Sequence, residues 1–160
     1  MTVELGLLRH AHAGDPATWE GPDDVRPLSE KGRQQADRLG RLLAAAGFVP
    51  DAMLTSPRLR AVQTAELVAD HLGVGVRIVP GLAGFLDLDT LETLLDEAGA
   101  PSRPVLVGHD PDFGDLLASM TGSPAIRLRK GAFALLEVAR PLAAGAAELR
   151  WLVPPDLLRR

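Results

Sequence analysis

The chain has 160 residues, 46% of them hydrophobic and 24% charged, with a formal net charge of −4. At about 150 residues per domain, that length predicts one domain over residues 1–160, and so much apolar sequence excludes disorder. A chain of this size buries roughly two-thirds of its unfolded surface, enough for a core without metal or disulfide staples. Cysteine is absent, which removes disulfides, thiolate nucleophiles, zinc–cysteine sites and iron–sulfur clusters. Met1-Thr2-Val3-Glu4 has no basic n-region, and the apolar run after it is too short for a signal peptide. No stretch reaches the roughly 20 apolar residues of a membrane span. The acidic balance argues against a nucleic-acid binder, which would show a clustered basic surplus. The expectation is a cytoplasmic protein with neither membrane nor nucleic-acid partner. Lys31 and Lys130 are the sole lysines; with abundant alanine and glycine, the arginine excess reads as GC-rich codon usage.

Val3 to Leu8 is a short apolar run suited to a buried strand, ending abruptly in Arg9-His10-Ala11-His12. Ala13 to Pro27 is rich in Gly, Pro and Asp and has no period, as in functional rims and lids. Ser29 caps a helix running to about Gly47, with apolar positions at Ala36, Leu39, Leu42, Leu43 and Ala46. Ala52 to Leu54 reads as a second strand. Ser56-Pro57, a cap followed by proline at the first helical position, predicts a helix to about His71 that stops at Gly73. Val76 to Val79 is a third strand and Leu88 to Ala98 a third helix. Pro104 to Gly108 is continuously apolar, as a strand covered on both faces should be. His109-Asp110-Pro111 then opens a helix to about Met120, with Asp110 as its cap. Ile126–Leu128, Phe133–Val138 and Glu148–Val153 read as closing strands joined by turns. The alternation predicts an α/β fold: a mostly parallel sheet, helices on both faces and antiparallel additions.

In open α/β sheets, ligands bind beyond the carboxyl ends of the strands. Two of the four histidines, His10 and His109, fall there, as does the start of the Ser56-Pro57 helix. Arg58 and Arg60 sit in that helix's opening turn, where the macrodipole disfavours cations by a few tenths of a kcal/mol. An anion site explains both; so do two solvated arginines, and the helical wheel does not choose between them. Arg9, directly after a buried strand, is costly unless it meets a ligand or a partner. Its planar fork suits phosphate oxygens, and nearby positive charge keeps an adjacent imidazole neutral and nucleophilic. His10 and His12 share a face if the strand persists, so a metal pair is the rival reading. The barrel hydrolases that use such a pair need about 250 residues, so metal ranks low. His12 reads as a rim residue. His71 reads as a helix-terminal cation or plain surface.

Leu8-Arg9-His10-Ala11, Arg26-Pro27-Leu28-Ser29-Glu30-Lys31-Gly32, Thr55-Ser56-Pro57-Arg58-Leu59-Arg60-Ala61-Val62-Gln63-Thr64-Ala65 and Val107-Gly108-His109-Asp110-Pro111 carry a resemblance. Together and in this order they resemble the histidine phosphatase superfamily, especially its small SixA-type phosphohistidine phosphatases, over nearly the whole chain. The resemblance implies a single three-layer αβα domain of phosphoglycerate-mutase-like fold, with a mostly parallel sheet and antiparallel edge strands. It also implies a metal-independent phosphatase without a cofactor. On that likeness His10 is the nucleophile that takes the phosphoryl group, Arg9 and Arg60 are the pocket arginines, and His109 is the second pocket histidine. Arginines can supply the positive field that phosphoryl transfer requires. Ala11 stands where most of the superfamily has glycine.

The acidic proton donor of other branches has no clear counterpart. Asp110, Asp15 and Asp87 are the candidates, and for Asp110 a helix cap is the competing role. An alkoxide leaving group needs a proton, whereas imidazole, with a pKa near 6.5, leaves far more easily. A site without a dedicated donor therefore matches phosphohistidine on a protein better than alkyl phosphates. Inorganic phosphate is the product. A small-molecule phosphomonoesterase and a non-catalytic phosphate-recognition module are the alternatives. The acidic residues Asp15, Glu20, Asp23 and Asp24 read either as a screen against loosely held anions or as a soluble rim.

Overall fold

The computed structural model describes residues 1–158. Six strands form one sheet: β1 (Thr2–Arg9), β2 (Ala52–Thr55), β3 (Arg77–Ile78), β4 (Pro104–Gly108), β5 (Phe133–Ala139) and β6 (Glu148–Val153). Their spatial order is β3-β2-β4-β1-β5-β6. The first four are mutually parallel; β5 runs antiparallel to β1, and β6 antiparallel to β5. The helices are α1 (Glu30–Ala45), α2 (Leu59–Leu72), α3 (Leu88–Glu97) and α4 (Asp112–Thr121).

Two apolar layers flank the sheet. Leu8, Met53, Val105, Val107 and Phe133 face α1 and α2, meeting Ala36, Leu39, Leu43, Ala61, Ala65 and Val68. Val3, Leu5, Leu7, Leu106 and Leu136 face α3 and α4, meeting Leu91, Leu95, Phe113 and Leu117. β4 is buried along its whole length, which explains its unbroken apolar sequence. Each fully buried leucine or phenylalanine contributes about 1.5–3 kcal/mol of transfer free energy.

Ser29 caps α1 as its sequence predicts, its hydroxyl accepting the Gly32 N–H at 3.1 Å. Leu42, 37% exposed, and Ala46, also exposed, are not core positions. The buried stripe runs through Gly32, Ala36, Leu39, Gly40 and Leu43, and the helix ends before Ala46. Two glycines on that stripe permit close approach. A Cβ on Gly32 would lie 1.9 Å from the His12 carbonyl oxygen, and one on Gly40 would lie 2.6 Å from the His71 ring.

Three local expectations are corrected. α2 starts at Leu59 with Arg58 in the capping position, two residues beyond the Pro57 start. α4 starts at Asp112 with Pro111 in the capping position, so Asp110 stands one residue further out, from where its carboxylate still accepts the first-turn Gly114 N–H. Ile126–Leu128 forms no strand; Leu128 is buried in the core, and its carbonyl accepts from the Arg9 guanidinium.

Candidate active site

Sheet register assembles the site. Arg9 of β1 stands opposite Gly108 of β4, and Thr55 of β2 stands opposite Val107. The next residue on each chain, His10, His109 and Ser56, therefore emerges at one sheet edge. Backbone bonds hold them: His10 N–H donates to the Gly108 carbonyl and Ser56 N–H to the Val107 carbonyl, both at 3.0 Å. The His10 and His109 rings lie 5.3 Å apart, centroid to centroid, with planes tilted by 50°.

His10 is buried, and its Nδ1 lies 2.8 Å from the Ala11 carbonyl oxygen. A carbonyl only accepts, so Nδ1 carries the proton and Nε2 keeps its lone pair. Burial lowers the His10 pKa to about 4; the Ala11 bond opposes this, while the charges of Arg60, Arg9 and Lys130 reinforce it. His10 is thus neutral near pH 7. Ala11 is fully buried, and its N–H donates to the Thr64 hydroxyl at 3.0 Å; that hydroxyl donates in turn to the Arg60 carbonyl.

His109 Nε2 lies 2.7 Å from the Ser56 hydroxyl. That oxygen already accepts the Arg58 N–H, and its own proton has no other acceptor among the described residues. The hydroxyl therefore donates to Nε2, which leaves the His109 proton on Nδ1. Burial lowers the His109 pKa to about 3, reinforced by His10, Arg58 and Arg60.

Arg60 is buried on the inner side of α2, whereas Arg58 is partly exposed and pairs with Asp24 at 3.3 Å. The structure thus separates the two arginines that the helical wheel left equivalent. Arg60 Nη1 and Nη2 donate to the Asp23 carbonyl and carboxylate, both at 3.0 Å. Burial lowers the Arg60 pKa and Asp23 opposes it. Arg9 pairs with Asp110 at 3.2 Å and donates to the Leu128 carbonyl. Three buried nitrogens among the described residues, Arg9 Nε, Arg60 Nε and His109 Nδ1, have no hydrogen-bond partner. Each such donor costs about 1–3 kcal/mol unless an acceptor meets it, and the oxygens of a tetrahedral oxyanion are acceptors of the right kind. All three belong to the residues that the sequence singles out beside His10.

The candidate acids are engaged elsewhere. Asp87 caps α3 in a reciprocal box with Thr90, which lowers its pKa. Asp15 is exposed and accepts the Ala17 N–H within its own turn. Asp110 accepts the Gly114 N–H in the first turn of α4 while pairing with Arg9. His12 binds the Ser29 hydroxyl at 2.6 Å, and His71 binds Asp37 of α1 at 2.7 Å rather than lying free on the surface. Nor are Asp23 and Asp24 a loose rim: Asp23 clamps Arg60 of α2, Asp24 pairs with Arg58 at its capping position, and Asp23 also holds Arg26 at 3.1 Å. Asp23, Arg26, Ser56, Thr64 and Lys130 were not singled out as site residues from sequence. Arg26, Ser56 and Thr64 lie within the Arg26-Pro27 and Thr55–Ala65 motifs, which do not disclose their pairings, and Asp23 and Lys130 lie outside every motif.

Fold and site together describe an α/β protein that sets two neutral imidazoles among arginines at the carboxyl edge of its sheet. The sequence matches the histidine phosphatase superfamily (branch 1) over residues 5–104, and the chain belongs to that family. It is 39% identical over 116 residues to an uncharacterized protein of Picosynechococcus sp., covering 71% of this chain and 70% of that one. The protein histidine phosphatase SixA complexed with tungstate shares its fold, with a TM-score of 0.83 at 23% identity, covering 98% of this chain and 100% of that one. The alpha-ribazole phosphatase from Shigella flexneri does so with a TM-score of 0.73 at 21% identity, covering 96% and 97%.

Proposed function

We propose that this chain hydrolyses phosphohistidine carried on a protein, through a covalent phosphohistidine intermediate on His10. The observation that carries the reading is the His10 tautomer: a buried, neutral imidazole whose Nδ1 proton is tied to Ala11, leaving the Nε2 lone pair for attack. In the first step that lone pair bonds to phosphorus as the substrate's P–N bond breaks. The bonding pair leaves with the substrate imidazole, which takes a proton from solvent water. Water then attacks phosphorus, the P–Nε2 pair returns to His10, and phosphate and a proton depart.

Arg9 and Arg60 balance the charge spread over the equatorial oxygens, and the His109 Nδ1–H donates to one of them. That the three candidate acids and Asp23 are engaged elsewhere supports phosphohistidine over alkyl phosphates. Asp15, Asp87 and Asp110 are spent on turn, cap and ion pair, and the Arg26 hydrogen bond and Arg60 charge hold the Asp23 carboxyl below its ordinary value against the opposing effect of its burial. None is placed as a dedicated donor to an alkoxide, whereas imidazole needs little help. The fold shared with the protein histidine phosphatase SixA points the same way.

A panel of a histidine-phosphorylated protein and several sugar phosphates tests this. The protein phosphohistidine should have the highest kcat/KM. Much faster hydrolysis of sugar phosphates would make the chain a small-molecule phosphomonoesterase.

A further inference from the structure

Lys31, Gln34, Gln35 and Arg38 stand at i, i+3, i+4 and i+7 on α1, a polar stripe beside the core stripe. Opposite them, the turn carrying Arg129 and Lys130 is tied to the end of β1. The Gly131 N–H reaches the carbonyls of Arg9 and His10 at 3.1 and 3.0 Å. Between these walls lies a groove of about 910 Å³, whose lining includes Arg9, Lys31, Arg38, Arg129 and Lys130 against a single carboxylate, Asp156. Both lysines of a chain with net charge −4 are here.

Lys31, Arg38, Arg129 and Lys130 pair with no carboxylate among the described residues, although Arg41, Arg58, Arg103 and Arg150 each hold one and Arg140 holds two. Like charges gathered within about a Debye length repel, and Lys31 also opposes the dipole of α1. Burial and the charges of Arg9, Arg26 and Arg60 lower the Lys130 pKa, so its ammonium lies in the same positive field as the site. On the other side, Asp87, Asp89, Asp112 and Asp115 line a cavity at the starts of α3 and α4. The two flanks of the site thus carry opposite charge.

We propose that the groove between α1 and the Arg129–Lys130 turn docks an acidic segment of the phosphohistidine-bearing protein, which enters along Lys31 and Arg38 and ends at Arg9. This rests on the phosphohistidine reading above. Among the described residues no phenylalanine or tryptophan lines the groove and His12 is its one aromatic ring, whereas single-stranded nucleic acid is held on successive aromatic side chains. Charge complementarity favours a carboxylate-rich chain, and the acidic flank steers such a chain to the α1 side.

The test uses two synthetic phosphohistidine peptides, one with four glutamates beside the phosphohistidine and one with four glutamines, and a small phosphoramidate as control. At low salt the wild-type protein should show a kcat/KM about tenfold higher for the glutamate peptide, expressed in KM. In the Lys31→Glu/Arg38→Glu double variant, and at high salt, that gap should close while phosphoramidate turnover is unchanged. Equal values for the two peptides in wild type, or a gap that survives in the variant, overturns the proposal. If no P–N substrate is turned over, the phosphohistidine reading has failed, and the groove is judged by fluorescence anisotropy of the unphosphorylated glutamate peptide. Binding about tenfold weaker to the variant supports the groove; equal binding overturns it. Displacement of that peptide by a single-stranded oligonucleotide at lower concentration than by the unlabelled peptide overturns it in favour of nucleic acid.

Discussion

His10 and His109 lie ring beside ring, centroids 5.3 Å apart, and both carry their proton on Nδ1 but with opposite nitrogens engaged: Nδ1 in His10, Nε2 in His109. The Ala11 carbonyl holds the proton of His10 on Nδ1, and the Ser56 hydroxyl holds that of His109 there by filling Nε2. One ring is left with a free Nε2 lone pair and the other with an unpartnered Nδ1–H. In the proposed mechanism the first is the nucleophile and the second the donor, one kind of side chain in two settings.

The pair should resist protonation. NMR titration should place the His10 transition near 4 and that of His109 near 3, not at the ordinary 6.5. Because both folded values are depressed, the unfolded chain takes up protons first as pH falls below 6.5. Their contribution to stability is therefore complete above that value and is lost as pH falls toward 4 and 3. The urea midpoint should drop over this window, and less so in His10→Asn. Titration of either ring near 6.5 contradicts the arrangement.

Ser56→Ala frees the His109 tautomer without touching the His10 bond. We expect kcat to fall about tenfold with KM nearly unchanged, the scale of one buried hydrogen bond. Ser56→Thr keeps the hydroxyl and should restore most of the rate. A Ser56→Ala protein with wild-type kcat would show that the hydroxyl does not set the donor.

Arg60 and Arg58 are neighbours in sequence but differ in setting, with side chains 6% and 32% exposed. Arg60→Ala should cost about 100-fold or more in kcat/KM, as removal of a buried transition-state donor does. Arg58→Ala removes a partly exposed ion pair worth about 0–1 kcal/mol and should cost less than about fivefold. Equal losses contradict the assignment of Arg60 to the pocket.

Gly32→Ala tests how α1 supports the site from behind. The added Cβ would meet the His12 backbone oxygen at 1.9 Å, so main chain must move. Overpacking of this kind costs about 1–3 kcal/mol or more, and a lowered Tm should accompany reduced kcat because His12 follows the Ala11 carbonyl that orients His10. Unchanged Tm would mean that α1 shifts freely.

Much of this was legible in the sequence because it is local. Apolar runs gave the strands, and the positions just after them gave His10 and His109. Two helix starts were placed early for one reason. Ser56 and Asp110 have the chemistry of caps and do accept the Arg58 and Gly114 N–H groups, but both stand outside the capping position and also serve His109 and Arg9. The reach of Asp23 to Arg60, 37 residues on, and of Ser56 to His109, 53 residues on, left no local period to read. The Leu128 segment misled because its apolar residues serve packing while its carbonyl serves Arg9.

The most direct measurement is a brief incubation with a labelled phosphodonor, followed by quenching and analysis of protein-bound label. Wild-type protein should carry acid-labile label on His10, and His10→Ala none. Absence of label from both proteins while phosphate still binds would contradict covalent catalysis and leave a phosphate-recognition module.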